Sequence, residues 1–429
     1  MVFNLRNTII LFSLVTIILI GSLTIYSVTS IDINYFLRFL LINIVVILAV
    51  ALIFNQINLN RILSFGWILF ISNILLVLSV ELFGNEINGS KRWLDFGFLS
   101  LQPSEFMKIT YALFVIQYLR FYSFQFTRTR TLFLLAILFL SALPIIIQPD
   151  LGTGLVYILM GLMFLFICGA NRAYFIGMAI FGVLLSPIIY SFGLTTYQKG
   201  RIISWFSSDQ DLSEKWNILQ SEISIGSGGL AGEGFLNSKQ NEFNFLPEAD
   251  TDFIFSIYAE QFGFLGVLLI LIMLACFIGL TTLLSMTEKR LTSDLSPYYI
   301  GTYCTLVIGF SFLLNILMVS GMIPVVGLPL PFFTKGGSSL LCFAIMLGAI
   351  LQIGHHLFID INSALFVLGG ATGFLVFKKS SGDHIKNFGR GAVYFGWLGA
   401  LVGIIAITGN RFMVWGDVEK MGPALAVAM

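Results

Sequence analysis

Glu248, Asp250 and Asp252 alternate along NEFNFLPEADTDFIFSIYAEQ, Asn241–Gln261, just before a long apolar run. Crowded carboxylates raise one another's pKa, and a raised carboxylate suits a general base. The same oxygens suit Mg²⁺ or Mn²⁺, so these three acids are also a candidate metal set. Pro247 disfavours a continuing helix. If the chain is extended here, alternation puts all three acids on one face. The competing reading is a solvated helix entry. Glu260 stands two turns inside the apolar run. An acid there is functional by default or paired with a basic neighbour.

Four other constellations carry polar chemistry. In NGSKRWLDFGFLSLQPSEFMK, Asn88–Lys108, Ser104 reads as a helix N-cap with Glu105 in the first turn. Glu105 and Lys108 are spaced to pair. Lys91 and Arg92 form a cation pair suited to a phosphate or pyrophosphate, since Arg forks onto phosphate oxygens. In IIIQPDLGTG, Ile145–Gly154, Asp150 either caps the next helix or binds substrate. YQKGRI supplies Tyr197, Gln198 and Arg201, followed by the Gly-rich SEISIGSGGLAGEGF, Ser221–Phe235. Its glycines permit tight turns and close backbone approach, but the pattern is neither a Walker loop nor GxGxxG. Finally IPVVGLPLPFFTKGGSSL, Ile323–Leu340, reads as a shaped re-entrant loop entering a helix around Ser338, or as a plain connector.

The elements that position these residues are membrane helices. The chain has 429 residues, 57% hydrophobic and 10% charged, with mean hydropathy +0.94. Soluble domains carry about 25% charged residues. A net charge of +1 gives no nucleic-acid footprint, and the four cysteines lie in apolar runs, as small buried hydrophobes do. A span needs roughly 20 apolar residues. Ten fall near 8–29, 33–54, 62–83, 104–120, 131–147, 151–170, 173–192, 253–284, 297–321 and 336–357, with weaker ones near 363–377 and 391–408. Thr8–Ser27 has no small-residue cleavage site and reads as a retained span. The fold class is therefore all-α and polytopic. Basic residues favour cytoplasmic loops. With the N-terminus inside, Arg6, Arg61, Arg120, Arg128, Arg130, Arg172, Lys289 and Arg290 all fall inside. The 193–252 loop then lies outside as an ordered cap.

In order and spacing, these blocks resemble the shape, elongation, division and sporulation (SEDS) family of polytopic peptidoglycan polymerases, the RodA/FtsW/SpoVE group. NGSKRW…LQPSEFMK, IQPDLGTGL, YQKGRI, IGSGGLAGEGF, FNFLPEADTDFIFSIYAEQFGFLG and GLPLPFFTKGGSSL match its motifs over residues 1–357. PVVG at Pro324–Gly327 is similar to the elongation-type branch. The resemblance implies ten transmembrane helices and polymerisation of undecaprenyl-linked lipid II at the bacterial plasma membrane. The implied partner is a class B penicillin-binding protein (a transpeptidase). Asp252 is implied as general base and Glu248 as its helper. Substrate contacts are implied for Lys91, Arg92, Glu105, Asp150, Gln198, Arg201 and Ser338, with Mg²⁺ or Mn²⁺ as candidate cofactor. A lipid II flippase, a division-type polymerase and a catalytically dead scaffold for the transpeptidase are the competing functions. Three positions depart from the family pattern: Asp250 stands for a common His, Gln261 for a Glu, and Lys335 for a Tyr.

The tail, 358–429, conflicts with this topology. Lys378, Lys379, Lys386 and Arg390 would fall outside. It therefore reads as a re-entrant stretch or a separate module. SALFVLGGATGFLVF, AVYFGWLGALVGIIAI and MGPALAVAM resemble parts of the MotA/TolQ/ExbB proton-channel family. The competing reading is small-residue helices packing through Gly. A truncated or fused module is the expectation.

Overall fold

The computed structural model describes residues 2–353, except 30–32, 58, 88–89, 98–99, 149, 194–198, 201–202, 204–212, 244, 247–248, 292 and 326. Ile9–Ile353 form one compact unit. The second unit comprises Met1–Thr8 and Gly354–Met429. The expected tail helices lie outside the described residues.

In chain order the helices are α1 (Val2–Val28), α2 (Ile33–Gln56), α3 (Leu59–Ser64) and α4 (Gly66–Phe83). Strands β1 (Asn85–Ile87), β2 (Ser90–Asp95) and β3 (Ser100–Leu101) follow. Then come α5 (Pro103–Phe121), α6 (Arg128–Ile147), α7 (Leu151–Cys168), α8 (Arg172–Ile188), α9 (Ser213–Ser227) and α10 (Lys239–Glu242). The last are α11 (Ile254–Leu291), α12 (Ser296–Val319) and α13 (Gly337–Ile353). Among the described residues, ten long helices, α1, α2, α4–α8 and α11–α13, coincide with the ten expected spans. Among the described residues, five segments are long and apolar enough to cross a membrane on length and composition: Phe36–Phe54, Gly66–Phe83, Arg128–Ile147, Ile254–Arg290 and Ser296–Val319. Helices are what a bilayer demands, because its core offers no water to unpaired backbone groups.

The core is centred on α5, α12 and α13, where Met107, Ile116, Tyr303, Phe312, Phe343 and Met346 are buried. α5 packs on α4, α7, α12 and α13. Leu75 on α4, Val183 and Leu184 on α8, and Leu265 on α11 are exposed, as lipid-facing positions must be. Lipid is as apolar as leucine, so close packing and internal hydrogen bonds hold such a bundle together. Tyr111 Oη donates to the Leu134 carbonyl at 3.0 Å, and Gln148 Nε2 to the Val77 carbonyl at 2.7 Å.

α11 departs from the simple span expected over 253–284. Its 38 residues, at about 1.5 Å each, far exceed the ~30 Å hydrocarbon core. The helix breaks at Gly263, whose φ of 61° and ψ of −164° are not helical. Broken helices survive in membranes only where the freed backbone groups find partners. The Gly-rich segment supplies them. Glu233 N donates to the Glu260 carbonyl at 2.9 Å and Gly234 N to the Gln261 carbonyl at 3.1 Å. Phe264 N and Leu265 N donate to the Gly229 and Leu230 carbonyls at 2.9 and 3.1 Å. A Cβ at Gly232 would collide with the Gln261 carbonyl. The glycines are therefore a helix-repair surface.

Glu260 completes that repair. Its buried carboxylate accepts from Ser238 Oγ at 2.6 Å, Ser224 Oγ at 3.0 Å, and the Lys239 and Gln240 amides at 2.9 and 3.4 Å. It fixes the loop between α9 and α11, with no basic side chain among these donors. The β-strands form a small antiparallel sheet in the order β1-β2-β3, with Leu94 opposite Leu101 and Asp95 opposite Ser100. This sheet, the α9–α10 loop and the start of α11 lie at one end of the helices, termed the loop face.

Candidate active site

Ala249–Phe253 form a turn leading into α11. Side-chain and main-chain bonds from two other segments fix it. Asn315, fully buried on α12, donates Nδ2 to the Asp252 carbonyl at 3.0 Å and to the Leu328 carbonyl at 2.7 Å. Lys335 N donates to the Asp250 carbonyl at 3.3 Å. The turn is thus pinned to the loop that joins α12 to α13. A Cβ on Gly327 would stand 3.4 Å from Asp252 Oδ2, so the half-buried carboxylate rests beside that loop's main chain. Asp250 instead turns to Lys335, whose Nζ is 3.6 Å from its Oδ2. The expectation that alternation would align Asp250 with Asp252 is corrected here: a turn, not an extended strand, carries them.

A second polar cluster centres on Asp150. Its Oδ1 accepts from Thr153 N at 3.3 Å, capping α7. The same oxygen faces Arg92 Nη1 at 3.6 Å, while Oδ2 accepts from Gln102 Nε2 at 3.0 Å. Burial pushes the Asp150 carboxyl above the usual range, and the Arg92 guanidinium pulls it back. Ser338 connects this cluster to α13: its Oγ accepts from Gln102 N and donates to the Ser100 carbonyl, both at 2.9 Å. The α12–α13 loop therefore runs from the Asp252 turn to the Arg92–Asp150 cluster.

Glu105 and Lys108 form a third feature, an ion pair of 2.8 Å with both side chains buried. A lone charge buried this deeply would be prohibitive. Cys342 Sγ donates to the Glu105 carbonyl at 3.2 Å and Tyr303 Oη to the Lys108 carbonyl at 2.8 Å.

Several expectations change. Lys91 and Arg92 do not act as one cation pair: neighbours on β2 point to opposite sides, leaving Lys91 exposed and Arg92 half-buried on Asp150. Ser104 is not the N-cap of α5; Gln102 holds that position, with Pro103 opening the helix. Ser338 is only 1% exposed, and its hydroxyl ties segments together instead of facing a substrate. Gln198, Arg201 and Glu248 lie outside the described residues. Among the described residues no group of three His, Cys, Asp or Glu side chains could hold a metal. Asp250 faces an ammonium, so Asp250 and Asp252 alone do not fit Mg²⁺ or Mn²⁺. Asn315 and Gln102 carry no motif signal of their own, although a polar side chain inside an apolar run, as at Asn315, is itself a signal. A cavity of about 500 Å³ opens between α11 and α12, lined by Leu271, Leu274, Ile278, Leu306 and Leu313 among others. It holds no titratable side chain.

A family model named FtsW/RodA/SpoVE and described as a cell cycle protein matches residues 3–358. The chain belongs to the FtsW/RodA/SpoVE family. It is 36% identical over 297 residues to the peptidoglycan glycosyltransferase MrdB of Escherichia coli K12, covering 68% of this chain and 78% of that protein. The stage V sporulation protein E of Bacillus subtilis is 35% identical over 272 residues, covering 63% and 72%. Two solved structures share the fold of this FtsW/RodA/SpoVE protein. One belongs to a peptidoglycan synthase complex that coordinates polymerization and crosslinking, with TM-score 0.67, 24% identity, and 82% and 98% of the two chains covered. The other is the rod shape determining protein RodA of Thermus thermophilus, with TM-score 0.60, 24% identity, and 82% and 97% covered.

Proposed function

We propose that this chain is a peptidoglycan glycosyltransferase of the elongation type that polymerises lipid II. The MrdB relatives support the activity. The observation that carries the mechanism is the placement of Asp252, half-buried on a turn pinned by Asn315 at the head of α11. We infer that the loop face is extracytoplasmic and the N-terminus cytoplasmic, in keeping with the basic residues of the opposite loops. On this reading the enzyme meets the sugars of lipid II on the extracytoplasmic side.

Asp252 is the proposed catalytic base. Its carboxylate takes the proton of the acceptor's N-acetylglucosamine 4-hydroxyl as that oxygen bonds to the anomeric carbon of the lipid-linked donor. The bond from that carbon to the undecaprenyl diphosphate breaks, and its electron pair leaves with the diphosphate. The anomeric configuration inverts. Arg92, oriented by Asp150, is assigned to the developing diphosphate charge, with Gln198 and Arg201 as further contacts; Lys91, on the other side of β2, is assigned to a separate part of the substrate. Glu248 assists the base. Glu105 acts behind this surface, holding Lys108 in α5. A class B penicillin-binding protein is the proposed partner.

The competing reading is transport of lipid II across the bilayer. At the opposite end, described charges serve as ties: Arg120 Nη2 meets Asp294 at 3.1 Å, and Arg130 stacks on Tyr122 at 4.0 Å. Reconstitution with fluorescent lipid II in vesicles separates the two. Glycan strands without accelerated flipping support the polymerase. Flipping without strands supports the transporter.

A further inference from the structure

Lys335 and Asp250 are both departures from the family pattern, and the fold brings them together. Their contact is 3.6 Å, with side chains 53% and 33% exposed. The bond from Lys335 N to the Asp250 carbonyl fixes the base of the side chain beside the Asp252 turn. Three residues on, Ser338 locks the same loop to Gln102, and through it to Asp150 and Arg92. Lys335 therefore stands on a rigid segment between the base and the Arg92 cluster. A half-exposed, long ion pair contributes little stability, so Asp250 holds the ammonium loosely. A diphosphate offers more charge and more acceptor oxygens than one carboxylate, and charge-assisted bonds to it are stronger.

We propose that Lys335 binds the diphosphate of the lipid-linked donor, exchanging Asp250 for a phosphate oxygen when substrate arrives. Asp250 is a competitor that weakens this binding in the empty site. This inference rests on the polymerase reading for its substrate. It differs from a structural ion pair in one respect. Breaking a structural pair from either side has the same effect, whereas here the two sides have opposite effects.

The test uses the full chain with its transpeptidase partner, and measures inorganic diphosphate binding by calorimetry alongside the KM and kcat for labelled lipid II. Lys335→Gln is expected to weaken diphosphate binding about tenfold, the value of one charged hydrogen bond, and to raise KM more than it lowers kcat. Asp250→Asn is expected to tighten diphosphate binding, and Lys335→Arg to retain it. Equal weakening by Lys335→Gln and Asp250→Asn, or unchanged binding in Lys335→Gln, overturns the inference. Lys335-dependent diphosphate binding in a chain that makes no glycan strands would uphold Lys335 and sink the polymerase reading. Strand synthesis with Lys335-independent diphosphate binding would do the reverse.

Discussion

The side chain of Asn315 holds the main chain of Asp252. Its Nδ2 lies 3.0 Å from the Asp252 carbonyl and 2.7 Å from the Leu328 carbonyl, with the residue fully buried. One amide thus sets the distance between the acid turn and the loop that passes beside it.

Replacing Asn315 with Ala removes the donor to two carbonyls. Each buried group left without a partner costs about 1–3 kcal/mol. The turn is expected to drift, and polymerisation to fall about 10- to 100-fold. Steady-state kinetics should show the loss mainly in kcat, with the thermal midpoint lowered. Unchanged kcat would leave Asn315 as packing alone.

Arg92→Gln tests the Asp150 cluster through pH. Burial raises the Asp150 carboxyl, and Arg92 opposes the rise. An acid whose folded pKa is raised is best tolerated below its unfolded pKa, and that stability is lost as pH rises through the folded pKa. Removing Arg92 raises the folded pKa further. Arg92→Gln should therefore be destabilised relative to wild type at neutral pH. The gap should close as pH falls to about 4, near the ordinary carboxylate pKa. Thermal midpoints across that range measure it; a constant gap would contradict the coupling.

The Glu105–Lys108 pair should behave non-additively. Removing one partner strands a buried charge and costs about 3–5 kcal/mol. Glu105→Gln and Lys108→Met are each expected to be severely destabilised, and the double variant less so than their sum. Unfolding in detergent compares the three. Additive losses would mean that the 2.8 Å contact is not the dominant interaction of either side chain.

The spans were legible because a bilayer permits little besides helices, and the ordered blocks pointed to the family. Side-chain directions were less accessible. Lys91 and Arg92 look like a pair in sequence, but the short strand β2 sends them to opposite sides. Asp250 and Asp252 look aligned, yet a turn fixed by Lys335 N and Asn315 separates their roles. The break at Gly263 was hidden because the apolar run resumes at Phe262, directly after Glu260 and Gln261, and continues past the glycine. Its cause, the backbone of residues 228–234 docking against α11, is a contact between distant segments that hydropathy does not record. The resemblance implies a substrate contact for Ser338, but the fold encloses its hydroxyl between the Ser100 carbonyl and the Gln102 amide.

The central claim is that Asp252 is the base. The direct measurement is glycan strand synthesis from labelled lipid II by the purified full chain with its class B penicillin-binding partner, comparing wild type, Asp252→Asn and Asp252→Glu. General-base catalysis is worth about 10²- to 10⁴-fold. Asp252→Asn is expected to lose that much while still binding lipid II, and Asp252→Glu to retain part of the activity. Equal strand synthesis by wild type and Asp252→Asn would contradict the account.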